Sequence, residues 1–101
     1  MIDLELTCVK LISSVGAARS NYIEAIQHAK KGDFEKAEIL MSEGKKLFKE
    51  GHQSHAALIQ GEAAGDLTAV NLLLIHAEDH LMSAEILGVM AQELIELYQS
   101  R

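Results

Sequence analysis

Apolar residues recur at three- and four-residue spacing along almost the whole chain, which is the spacing of one face of an α-helix. The first run predicts a helix from Asp3 to Lys31. It should end at Gly32, because two lysines suit the negative helix end and glycine adopts the left-handed capping conformation. Asp33 is then a good N-cap for a second helix.

The second helix is predicted from Phe34 to Gln60, with two glycines on its apolar stripe. Gly44 and Gly51 each lower helix propensity by up to about 1 kcal/mol relative to alanine. We interpret them as places where a neighbouring helix packs closely, in preference to a kink. Gly61–Gly65 is predicted as a flexible connection.

Asp66 is the predicted N-cap of a third helix, from Leu67 to Gln99. Apolar residues cover a wider arc of this helix than a three-helix monomer would bury, so we expect a helical oligomer. The predicted fold is all-α, with three long antiparallel helices in up-down-up order and a single domain over residues 1–101. The polar stripe predicted to face solvent contains Glu78, Glu85, Gln92 and Glu96.

The amino-acid composition agrees with a helical fold and argues against several classes of function. Aromatic residues make up only 4% of the chain and proline is absent, which argues against a β-sandwich. The net charge of -6 disfavours nucleic-acid binding, and no glycine-rich loop for a nucleotide is visible. The only cysteine, Cys8, is expected to be buried. Without a secretory signal or a membrane-length apolar run, the chain is predicted to be cytoplasmic, with no direct membrane insertion.

A polar cluster lies in the middle of the apolar arc of the third helix. His76, Asp79, His80 and Ser83 share one side of that helix, because residues three, four and seven apart are neighbours there. Polar groups in an apolar setting lower the stability of the fold unless they are hydrogen-bonded or have a functional role. His76 is therefore the residue whose presence most requires an explanation.

Three explanations fit the cluster. His76 is a satisfied core residue, or a metal ligand with His80 and Asp79, or a nucleophile in phosphoryl transfer. The metal site lacks matching inward-facing motifs on the other two helices. In the phosphoryl case, His80 or Ser83 would donate to the phosphate, and the phosphoryl donor would be another protein.

The segment from Leu72 to Ala84, LLLIHAEDHLMSA, closely resembles the active-site segment of the lactose/cellobiose (including chitobiose) enzyme IIA family of the bacterial phosphoenolpyruvate-dependent sugar phosphotransferase system. The resemblance covers nearly the whole chain. It continues in four further segments, Gly16–Ser20, Lys31–Phe34, Leu58–Gln60 and Glu96–Tyr98.

This resemblance implies a cytoplasmic three-helix subunit that forms a homotrimer, a nine-helix bundle. It implies that His76 is phosphorylated on Nε2, accepting the phosphoryl group from HPr. His76 would pass that group to the cysteine of enzyme IIB, for transfer to a disaccharide entering through IIC. His80 would support the phosphate.

The resemblance also implies that Asp79 lies at the trimer axis, where three copies hold a divalent cation, expected to be Mg²⁺. His55 stands where the family leads us to expect glutamine, and Gly51 where alanine is usual. His52 and His55 would then reach the phosphorylation cleft from an adjacent subunit, or remain at the surface without a carboxylate partner. Two alternatives stay open: a histidine phosphotransfer domain of two-component signalling, and a structural metal-binding helical oligomer.

Overall fold

The computed structural model describes residues 3–66 and 69–101. These residues form three long helices and no strand: α1 (Leu4–Lys30), α2 (Phe34–Ala63) and α3 (Leu72–Gln99). The helices pack side by side as an up-down-up bundle that measures 52 × 18 × 17 Å. The predicted fold class is confirmed. No helix in the described ranges combines the length and apolarity needed to cross a membrane.

The turn between α1 and α2 forms as predicted. Gly32 has a φ of 81°, and its N–H and that of Asp33 donate to the carbonyls of Ala29 and His28, which is the Schellman pattern. The Asp33 carboxylate then accepts a hydrogen bond of 3.2 Å from the backbone N–H of Lys36 and caps α2.

The predicted boundary between α2 and α3 is wrong on both sides. α2 continues to Ala63, and Gly61 is a buried residue within it. Asp66 does not cap α3. Its N–H donates to the carbonyl of Gly61 at 2.8 Å and completes a second Schellman motif around Gly65, whose φ is 80°.

Asn71 is the residue that caps α3, because its side chain accepts a hydrogen bond of 2.9 Å from the N–H of Leu74. The helix therefore begins at Leu72, and residues 69–71 are not helical. The predicted start at Leu67 lies outside the described residues.

The two glycines of α2 mark close helix contacts, as predicted. A Cβ built on Gly44 would lie 2.6 Å from Cε1 of Tyr22, and one on Gly51 would lie 2.5 Å from Cγ1 of Val15. Gly88 of α3 approaches the other edge of the same tyrosine ring, where a Cβ would lie 3.0 Å from Cε2. Tyr22 therefore occupies space left by two missing side chains on two different helices.

The core lies along the α1 face that contacts both other helices. Cys8 is fully buried, as predicted, in a cluster that also contains Leu11, Val15 and Leu81. α3, in contrast, leaves one side uncovered. Its large exposed apolar side chains include Leu72, Ile75, Met82, Ile86 and Val89.

Candidate functional site

His76 and His80 meet one helical turn apart on α3. Their Nε2 atoms lie 3.0 Å apart, and their rings stand nearly perpendicular, with centroids separated by 4.2 Å. His76 is exposed and His80 is half-buried. An accessible imidazole is thus held at its Nε2 by a second imidazole, as the i, i+4 spacing predicts.

A hydrogen bond between two ring nitrogens requires one donor and one acceptor. Exactly one of these two Nε2 atoms therefore carries a proton when both rings are neutral. Burial lowers the pKa of His80 below its ordinary value, and the positive charges of His76 and Arg19 lower it further against the opposing effect of Asp79. His80 is consequently held as a neutral imidazole at neutral pH.

Asp79 and Ser83 do not take part in this histidine contact. Asp79 is exposed and lies between the exposed apolar residues of α3. The Ser83 hydroxyl donates to the backbone carbonyl of His80, at 3.4 Å. The structure therefore brings together His76 and His80, and leaves the other two members of the predicted cluster apart from them.

Within residues 3–66 and 69–101, no three His, Cys, Asp or Glu side chains lie close enough together to hold one metal ion. His76, His80 and Asp79 of a single chain thus do not form the metal site that their spacing allowed.

His55 has a carboxylate partner, contrary to our prediction. Its Nε2 lies 2.8 and 2.9 Å from the two carboxylate oxygens of Glu78, so the contact is nearly symmetric. The pair links α2 to α3. The periodicity of α3 alone predicts Glu78 on the solvated stripe, whereas α2 lies beside that position and supplies His55.

Sequence reasoning missed the part played by Arg19 of α1. Its Nε is buried and has no hydrogen-bond partner in the described part of the chain, and its charge acts on His80. A signal was available. Arg19 directly follows the core residue Ala18, between the buried Val15 and Tyr22. A positive charge at such a position lowers stability unless it has a partner or a functional role.

Comparisons with known proteins match almost the whole chain. The family model described as "PTS system, Lactose/Cellobiose specific IIA subunit" matches residues 6–99. The lactose-specific EIIA component of Staphylococcus aureus (strain N315) is 34% identical over 97 residues, covering 96% of this chain and 94% of that protein.

Two solved structures resemble the fold closely. The cellobiose-specific enzyme IIA from Bacillus anthracis has a TM-score of 0.94 and 41% identity, covering 99% of this chain and 92% of that one. The chitobiose IIA in a complex with HPr from Escherichia coli has a TM-score of 0.84 and 35% identity, covering 99% and 97%.

Proposed function

Because the chain belongs to the lactose/cellobiose-specific IIA family, it is a phosphocarrier of a sugar phosphotransferase system, and we propose that His76 carries the phosphoryl group. The observation that supports His76 is its exposed imidazole, whose Nε2 contacts His80. Membership of this family also decides against a histidine phosphotransfer domain of two-component signalling.

The proposed transfer begins with a neutral His76 whose Nε2 is unprotonated. The Nε2 lone pair attacks the phosphorus of the donor protein and forms a P–N bond, while the donor's bond to phosphorus breaks and the donor keeps its electron pair. The N–H of His80 then donates to a phosphoryl oxygen and stabilises the negative charge. The reverse step passes the group to the next carrier.

HPr is the proposed donor, and this is supported by the complex of the Escherichia coli chitobiose IIA with HPr. The cysteine of the cognate enzyme IIB is the proposed acceptor, with the sugar entering through IIC. All transfers to and from His76 would occur in the cytoplasm.

The proposed assembly is a homotrimer of nine helices. Leu72, Ile75, Met82, Ile86 and Val89 are exposed in the single chain. Together with Asp79, which falls between Ile75 and Met82, they follow one another at alternating spacings of three and four residues. That spacing is the seam of a helical coiled coil. Packing α3 against two copies of itself would bury this seam.

Asp79 occupies the position in this seam between Ile75 and Met82, four and three residues away. Three copies of the seam would therefore bring three carboxylates to the trimer axis. Carboxylate oxygens suit a hard divalent cation such as Mg²⁺, which would neutralise their mutual repulsion. Asp79 thus acts in assembly, while the chemistry stays with His76.

The test is phosphorylation with purified proteins. The chain is incubated with enzyme I, HPr and phosphoenolpyruvate, and intact mass should show an acid-labile gain of about 80 Da. His76→Ala should abolish the gain, and His28→Ala, a matched change at the far end of α1, should keep it. An unlabelled native chain, or a label that survives His76→Ala, would refute the assignment.

A further inference from the structure

Two buried polar atoms close to the phosphorylation site have no hydrogen-bond partner within the described ranges: Nε of Arg19 and Nδ1 of His80. They are chemically complementary. The arginine Nε always carries a proton, whereas the histidine Nδ1 carries a lone pair in one of its two neutral tautomers. Unpaired buried polar atoms are rare and costly, so a complementary pair of them in one region calls for an explanation.

The packing of α1 against α3 indicates that the Arg19 side chain reaches toward His80. Val15 shares a buried cluster with Leu81, and Tyr22 lies against Gly88, so Arg19 falls between these two levels of the parallel helices α1 and α3. A helical side chain leans toward the N-terminus of its own helix, which is toward the level of His80. The positive charge of Arg19 also lowers the pKa of the His80 imidazole, as expected of a nearby cation.

The position of Arg19 distinguishes the two possible tautomer arrangements. If His76 donated from its Nε2, then His80 would carry its proton on Nδ1, and a buried N–H would face the field of the guanidinium. If His80 donates instead, its Nδ1 presents a lone pair to that positive charge. The second arrangement is electrostatically favoured, and it leaves Nε2 of His76 unprotonated.

We propose that Arg19 is a positioning residue that holds His80 in the Nε2–H tautomer and so keeps Nε2 of His76 ready to accept a phosphoryl group. The inference rests on the proposed role of His76. As the phosphoryl group approaches, the His80 ring turns so that its Nε2–H leaves the His76 lone pair and donates to a phosphoryl oxygen. The freed lone pair of His76 then forms the P–N bond. No proton is lost from His80 in this step.

The native protein gives the first test. Two-bond ¹H–¹⁵N correlation spectra of histidine-labelled protein identify which ring nitrogen is protonated in each histidine. We expect the Nε2–H tautomer for His80 and the Nδ1–H tautomer for His76. The reverse assignment would overturn the inference, and this result needs neither a variant nor phosphorylation.

The second test uses Arg19→Met, with Arg101→Met as the matched control, because Arg101 is exposed at the far end of the chain. Arg19→Met should mix the His80 tautomers and slow phosphorylation by phospho-HPr by roughly tenfold, the lower end of the effect expected when a residue that orients a site histidine is removed. Arg101→Met should change neither. Native tautomers and a native rate in a folded Arg19→Met protein would refute the inference.

The two proposals fail in different ways. A native chain that takes no label from phospho-HPr would refute the role of His76, while its tautomers would still report on Arg19. A chain that is labelled at His76 but shows native behaviour in Arg19→Met would refute only the positioning role.

Discussion

His80 supplies one N–H to the Nε2 of its neighbour, and that N–H is the group proposed to reach the phosphate. His80→Ala removes a charge-stabilising donor but leaves the nucleophile, so transfer from phospho-HPr should slow by roughly a hundred- to a thousandfold without stopping. Rapid-quench measurement of labelled protein checks this rate. Ser83→Ala is the control and should keep the native rate, because its hydroxyl is directed to a backbone carbonyl. An unchanged rate in His80→Ala would contradict the phosphate role.

Because of Cys8, the free energy of unfolding should depend on pH in the alkaline range. Burial, and secondarily the charge of Glu78, raise the pKa of its thiol above the ordinary value of 9.0. In the unfolded chain the Cys8 thiol ionises near pH 9, whereas in the folded chain it stays protonated. The contribution to stability is therefore fully present below about pH 9 and falls as the pH rises further. Between pH 7 and about pH 10, urea titrations should show a larger loss in free energy of unfolding for the native chain than for Cys8→Ala. Equal losses would contradict this interpretation.

Single residues also show where sequence reasoning reaches its limit. His76 and His80 were predictable as neighbours, because both lie on one helix and spacing alone decides their contact. The pairing of His55 with Glu78 and the effect of the Arg19 charge on His80 were not predictable in this way. Each joins two helices, and the rotation of one helix against another is set by packing that periodicity does not encode.

At the scale of the helices, the close contacts of Tyr22 give the sharpest test. Gly44→Ala gains up to about 1 kcal/mol in helix propensity, but its Cβ would overlap the tyrosine ring. Overpacking of this kind costs about 1–3 kcal/mol, so a net loss of stability in urea unfolding is expected. Gly16→Ala is the matched control, since nothing lies within 4 Å of its Cβ, and it should stabilise the protein. A stabilised Gly44→Ala would show that the ring moves freely.

Helix ends were predictable where one local signal acts alone. Gly32 and Asp33 end one helix and begin the next within a single turn of chain. Asp66 is also an aspartate after a glycine, but its N–H donates a hydrogen bond to the carbonyl of Gly61. It therefore belongs to the C-terminal cap of α2. Two helix boundaries separated by a longer connection therefore cannot be assigned from one capping residue.

At the scale of the whole molecule, the exposed seam of α3 predicts the assembly. Ile86→Glu should convert the oligomer to monomers, because it places a charge among apolar side chains that the partners would bury. Sedimentation velocity measures this change. Ile39→Glu is the matched control, since Ile39 is 58% exposed against 63% for Ile86 and lies on α2. A trimer that persists in Ile86→Glu would place the interface elsewhere.

Removal of divalent cations tests Asp79 separately. A chelator should weaken the trimer of the native chain, because three axial carboxylates would then repel one another. Asp79→Asn, which carries no charge at that position, should form a trimer whose stability does not respond to the chelator. Sedimentation with and without Mg²⁺ measures both effects. A native trimer that is indifferent to chelation would contradict the axial cation.

The tyrosine ring held between two glycines also has an evolutionary consequence. Positions 22, 44 and 88 share one volume across three helices, so they cannot diverge independently. In related chains, a larger residue at position 44 or 88 should accompany a smaller one at position 22. Tyrosine at position 22 should in turn accompany glycine at both other positions. Covariation among these three sites would thus record the helix spacing of the bundle, independently of any selection on phosphoryl transfer.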